Sequence, residues 1–173
     1  MARFDPERHH RGSHRLKGYD YSQPGAYFVT ICAQNRACIF GEVLDGRMLL
    51  NHAGDLIESL WLDLANRFPS TTLDAYIVMP NHFHAILIIN ESSAGIDLGK
   101  ILQAFKSLTT NEYGRRVKEN DWPAFEGRLW QRDYYDSIVK NDSEMQQIRE
   151  YITHNPAQWH EDLENPINCI AAV

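Results

Sequence analysis

Two apolar stretches, residues 73–79 and 82–89, are separated only by Pro80-Asn81. So short a connection, made of two turn-favouring residues, leaves no room for a crossover and joins antiparallel strands. Tyr27-Phe28-Val29-Thr30-Ile31-Cys32-Ala33, rich in β-branched and aromatic residues, predicts a buried strand. Residues 38–43 and 47–50 flank Leu44-Asp45-Gly46, whose Asp-Gly pair is a hairpin signal. Residues 129–139 read as a late strand.

Three helical segments are interleaved with these strands. Residues 53–64 follow Asn51 as N-cap, repeat Leu56, Ile57, Leu60 and Leu64 at helical spacing, and are closed by Pro69. Residues 98–117 open at Asp97 with Ile101, Leu102, Phe105 and Leu108 as an apolar stripe, and Gly114 is a point where the helix can end early. Residues 145–154 are capped by Asp142 or Ser143, and Pro156 stops them. This order predicts an α+β fold, a ferredoxin-like antiparallel sheet with helices packed on one face.

At 173 residues the chain has room for one domain. Its charge is uneven: residues 1–18 carry a net +3 and residues 142–173 a net −5, against −6 overall. The expected organisation is a basic arm at 1–20, a domain at 21–160 and an acidic tail at 161–173. The overall acidity argues against a generic nucleic-acid coat. No apolar run approaches the ~18–20 residues of a membrane span, and the polar start is no secretory signal, so no membrane association is expected. Three cysteines without zinc spacing fit a reducing cytoplasm, the expected location.

The chemistry concentrates in two places. In Met79-Pro80-Asn81-His82-Phe83-His84 the two histidines point the same way along a strand, so both imidazoles can bite one divalent cation while Phe83 anchors the core. The alternative is a pair of histidines that merely ends a half-buried strand. In Ile148-Arg149-Glu150-Tyr151-Ile152-Thr153-His154-Asn155-Pro156, Tyr151 and Asn155 share a helix face one turn apart. They can supply a nucleophile and an oxygen ligand, or be a core-boundary tyrosine and a helix cap before proline.

With MPNHFHAIL followed by LWQRDYYDSIV and then IREYITHNP, in that order, the chain resembles the single-tyrosine HUH transposases, in particular the REP-associated tyrosine transposases. The resemblance spans roughly Tyr27 to Pro156. It implies that Tyr151 attacks a DNA phosphodiester, giving a 5′-phosphotyrosine and a free 3′-hydroxyl. It also implies that His82, His84 and Asn155 hold one divalent ion, Mg²⁺ or Mn²⁺; His154 or Asp136 is the substitute if Asn155 only caps its helix. Residues 21–160 would then be the catalytic domain. The implied partner is single-stranded or hairpin DNA. A homodimer, with Tyr151 serving its own or a partner's histidines, is left open.

For the DNA itself, Lys100, Lys106, Arg115 and Arg116 on the second helix and Arg132 on the late strand are candidates to track phosphates. Tyr134 and Tyr135 are candidates to stack on unpaired bases, only one of them expected to be exposed. Two other functions compete with strand transfer: a non-cutting module that binds single-stranded or hairpin DNA, and a metal-dependent hydrolase in which Tyr151 is structural.

Overall fold

The computed structural model describes residues 18–91 and 95–169. Apart from Gly18, Tyr19 and Asp20, the basic arm expected at 1–20 lies outside the described residues, as does the end of the acidic tail from residue 170 onward.

The chain enters the sheet as β1 (Gly25–Cys32) and then forms a separate hairpin, β2 (Gly41–Leu44) and β3 (Arg47–Leu50). Asp45 and Gly46 both take positive φ, 49° and 72°, as a two-residue hairpin turn requires. Helix α1 (His52–Arg67) follows, its Asn51 cap accepting from the amides of Ala53 and Gly54. Strands β4 (Thr71–Val78) and β5 (His82–Ile89) are joined at Pro80-Asn81 as expected. Helix α2 (Leu98–Asn120), β6 (Tyr135–Val139), α3 (Asp142–His154) and a short α4 (Pro166–Cys169) complete the order.

The main sheet is antiparallel throughout, in the order β4-β5-β1-β6, so the strand carrying the histidines is interior. Its register sets Thr30 opposite His84 and Cys32 opposite His82. Tyr27, Val29, Ile31, Phe83, Ala85 and Leu87 face one side, where they pack with Ile57, Trp61 and Leu64 of α1 and Ile101, Leu102 and Phe105 of α2. The residues between them, Phe28 and Ile86, face the other side and meet Ile148 and Ile152 of α3. The α+β antiparallel architecture is the expected one. Two helices lie on one face as anticipated, and α3 covers the opposite face, because β1 and β5 are apolar at both parities.

Several boundaries differ from the sequence expectation. Helix α2 runs through Gly114 to an αL cap at Asp121, and α3 is capped one residue early, by Asn141. The late strand is confined to 135–139. Before it, Trp130 only bridges to Ala33, since its buried indole is committed to the Thr109 hydroxyl at 2.8 Å. Helix α3 is tied to edge strand β4 by a two-pronged Arg149–Asp74 pair, 2.8 and 2.7 Å. Asp74 sits in the irregularity of β4 between Leu73 and Tyr76, which turns its carboxylate toward the helix.

Candidate functional site

His82 and His84 open β5 on its α3 face, with ring centroids 4.5 Å apart. Each ring is fixed through Nδ1. His82 Nδ1 lies 2.9 Å from Asn81 Oδ1, and His84 Nδ1 lies 2.8 Å from the Thr30 hydroxyl. Asn81 donates its amide to the carbonyls of Arg36 and Glu164, which orients its Oδ1 as an acceptor. His82 therefore carries its proton on Nδ1 and presents the Nε2 lone pair to the site, the tautomer a metal ligand requires. Both rings are buried, and burial lowers both pKa values below 6.5, opposed for His82 by the charges of Asp162 and Glu164.

Tyr151 comes from the third turn of α3, with its hydroxyl 3.3 Å from His84 Nε2 in the same chain. Phe28 forms the floor: it stacks on His84 at 5.5 Å and meets the Tyr151 ring edge-on at 6.0 Å. Burial, then the charges of Asp162 and Glu164, push the Tyr151 phenol well above its ordinary 10. The site thus holds neutral imidazoles, nearby carboxylates and a phenol reluctant to ionise. The neighbouring cation among the described residues, Arg36, is held by Glu164 at 2.6 Å.

Asn155 follows α3 directly and is buried. Its Nδ2 donates to Asp162 Oδ2 at 3.2 Å, and its buried Oδ1 makes no hydrogen bond of normal geometry among the described residues. Asp162 Oδ2 in turn lies 3.9 Å from His82 Nε2, which is likewise buried without a hydrogen bond of normal geometry among the described residues. Ligand atoms of His82, His84 and Asp162 all fall within 4.8 Å of one another. Two imidazole nitrogens, a carboxylate and an orphaned amide oxygen make a donor set that fits a divalent cation, and the unsatisfied atoms are those a bound cation would satisfy.

His82 and His84 are thus brought together with Tyr151 and Asn155, a second segment far away in the chain. The alternatives to Asn155 are not: His154 is exposed with Nδ1 on the Glu150 carbonyl, and Asp136 lines a groove with Lys100 and Gln103 of α2, on the opposite side of the sheet. Asp162 escaped the sequence reading. It sits past Pro156 in a segment whose only signal was acidity, and a turn of 3-10 helix, Pro156–Glu161, folds that segment back beneath β5. Asn81 and Thr30 were missed as orienting groups, although Asn81 adjoins the first histidine.

The residues expected to hold DNA are scattered. Arg115 and Arg116 pair with Glu112, and Arg115 also with Glu119, along the exposed face of α2. Lys106 is half-buried and donates to the carbonyls of Gln131 and Arg132. Lys100 and Arg132 are exposed near one another, lining one groove. Tyr134 and Tyr135 are both half-buried, contrary to the expectation of one exposed ring, because Tyr134 packs on the α1/α2 core and Tyr135 on the α3 core.

A family described as "Transposase IS200 like" matches residues 26–155. An uncharacterized protein of Haemophilus influenzae is 35% identical over 166 residues, covering 89% of this chain and 92% of that one. A second Haemophilus influenzae protein, assigned as a REP-associated tyrosine transposase, is 22% identical over 80% of this chain and 74% of its own. Among solved structures, a REP-associated tyrosine transposase bound to a REP hairpin is similar with a TM-score of 0.61 and 17% identity, over 82% of this chain and 72% of that one. A Deinococcus radiodurans protein assigned as a transposase is similar at 0.52 and 19%, over 80% and 95%. Among the described residues, no helix is long and apolar enough to cross a membrane.

Proposed function

The chain belongs to the IS200-like transposase family, and from that premise we propose that it cleaves and rejoins single-stranded DNA through a covalent bond to Tyr151. The observation that carries this reading is the Tyr151 hydroxyl 3.3 Å from His84 Nε2, in one pocket with His82, Asn155 and Asp162. Tyr151 is the nucleophile. Its oxygen bonds to phosphorus as the P–O3′ bond breaks, leaving a 5′-phosphotyrosine and a 3′-hydroxyl. The phenol loses a proton and the departing oxygen takes one up, so one phosphodiester replaces another and the reverse step reseals the strand without ATP.

The chain's own residues orient this chemistry. Phe28 and the two core isoleucines of α3 hold the phenol in place, while Asn81 and Thr30 aim the imidazoles. His82, His84 and Asp162, with Asn155 Oδ1, are the groups that would hold a divalent ion, Mg²⁺ or Mn²⁺. When bound, it supplies the positive charge that the phosphate oxygens and the phenol both need. The proposed substrate is a DNA hairpin, the kind of ligand held by a structural relative, to which the proposal adds single-stranded flanks for cleavage; the proposed place of action is the cytoplasm.

The test uses a hairpin oligonucleotide labelled at its 3′ end, incubated with the protein and Mn²⁺ and separated in denaturing detergent. A labelled protein band is expected for the wild type and not for Tyr151→Phe or in chelator. Cleavage by Tyr151→Phe to ordinary phosphate ends would favour a hydrolase instead. Hairpin binding with no adduct under any metal would leave a non-cutting binding module.

A further inference from the structure

The described surface has a larger groove that the site chemistry does not use. About 850 Å³ in volume, it is lined on one side by the tight turn carrying Gln34, Asn35 and Arg36, and on the other by Arg128, Gln131 and Arg132; Asp133 and Pro166 complete it. In a chain of net charge −6, three guanidinium groups around one depression mark a local footprint for anions. Arg128 and Arg132 are exposed, and among the described residues no ion pair engages either side chain. They differ in this from Arg115 and Arg116.

The groove is built onto the candidate site. Its first wall continues from the end of β1, where Cys32 is the register partner of His82. The Arg36 carbonyl accepts from Asn81, the residue that orients His82. Arg36 also pairs with Glu164, two residues from Asp162. The second wall is laced to the first by Gln34 N to Leu129 O, Gln131 N to Cys32 O, and Gln131 Nε2 to Ala33 O. The groove therefore lies at the end of the sheet where β1 finishes and the histidines open β5.

Its lining also selects the form of the ligand. Arginines spaced among Gln34, Asn35 and Gln131 pair phosphate binders with amides that can bond to exposed base edges, edges that a duplex conceals. We infer that this groove binds the unpaired flank of the DNA substrate, with Arg128 and Arg132 on its phosphates, and feeds that strand toward Tyr151. The inference rests on the DNA reading proposed above and adds a path to it.

The test measures binding in chelator by fluorescence anisotropy, using a hairpin with single-stranded tails and the same hairpin blunt. Replacing both arginines (Arg128→Ala with Arg132→Ala) is expected to weaken the tailed hairpin at least tenfold and leave the blunt one unchanged. The salt dependence of tailed binding should flatten by about 1.4 in log–log slope, at about 0.7 per single-strand phosphate contact. A double lysine variant should recover most of the affinity. Unchanged tailed binding, or equal loss for both ligands, overturns the groove. The adduct assay separates the two ideas. An adduct with wild-type binding in the alanine variant removes the groove and keeps strand transfer; arginine-dependent tail binding with no adduct keeps the groove and removes strand transfer.

Discussion

The Tyr151 hydroxyl and His84 Nε2 stand 3.3 Å apart within a single chain. A proposed nucleophile and a candidate metal ligand this close need no residue from a second copy, even in a dimer. Mixing Tyr151→Phe with His84→Ala protein is therefore expected to restore no adduct, since neither variant holds a whole site. Recovery approaching about a quarter of the wild-type yield, the share of complete sites in a randomly mixed dimer population, would instead show that the tyrosine crosses between copies.

Asn81 is buried completely and makes three bonds: one from His82 Nδ1 and two to backbone carbonyls. Asn81→Ala is expected to weaken Mn²⁺ binding by about 10–100-fold, the usual effect of losing an orienting partner of a metal-bound histidine. It should also cost ~1–3 kcal/mol of stability, because a buried carbonyl of Glu164 and a part-buried one of Arg36 lose their donor. Isothermal titration with Mn²⁺ and a thermal melt measure the two effects separately. Asn81→Asp keeps the acceptor for His82 but sets a carboxylate against the two carbonyls, so it should bind metal better than the alanine variant while being no more stable.

The buried imidazoles impose a pH dependence on the metal-free protein. Folded His82 and His84 have pKa values below 6.5, whereas the unfolded chain titrates near 6.5. Below that pH the unfolded state binds more protons, so stability falls as the solution is acidified; above it the two states carry the same protons and the contribution vanishes. Melting temperature should be flat above about pH 7 and fall through pH 6 and 5. His84→Leu should shallow that fall. The Asp74 carboxylate, lowered from 3.8 by Arg149, contributes a separate loss at more acidic pH that survives the leucine substitution.

Asp162 is the carboxylate nearest the imidazoles and Asn155 supplies the orphaned oxygen. Asp162→Asn should lower Mn²⁺ affinity at least tenfold, equivalent to about 1.4 kcal/mol. The same change removes one of the charges holding the Tyr151 phenol protonated, so the tyrosine's ultraviolet titration midpoint should move down. A drop in affinity with an unmoved midpoint would mean that Asp162 acts on the cation alone.

Two glycines on different helices make opposite predictions. A Cβ at Gly54 in α1 would run into the Phe40 carbonyl, whereas at Gly114 in α2 nothing lies within 4 Å. Helix propensity favours alanine at both by ~0.5–1 kcal/mol. At Gly54 overpacking of ~1–3 kcal/mol outweighs that gain. Gly54→Ala should therefore melt several degrees lower and Gly114→Ala slightly higher, at roughly 2–4 °C per kcal/mol for a chain of this length.

What could be read without coordinates follows from which interactions are local. The Pro80-Asn81 connection, the Asn51 and Asp97 caps and the shared direction of His82 and His84 all follow from periodicity and turn chemistry within a few residues. Asp162 does not: it reaches His82 only because the chain reverses after Pro156, and no spacing encodes that reversal. The basic residues were ambiguous for a related reason. Arg115 and Arg132 look alike in sequence, yet Glu112 and Glu119 stand one turn from Arg115, while Arg132 borders an open groove. The position of α3 had a faint signal in β1, whose apolar residues occupy both faces.

The register between β1 and β5 has a last consequence. A slip of one residue would exchange Phe83 for the imidazoles and bury a phenyl ring against Tyr151 and Asp162, while thrusting two histidines among Trp61 and Phe105. That slipped register is therefore poorly packed on both faces of the sheet. The pairing that packs the core is also the one that assembles the candidate site, so a preparation that melts in one sharp transition should bind Mn²⁺ as a single uniform population.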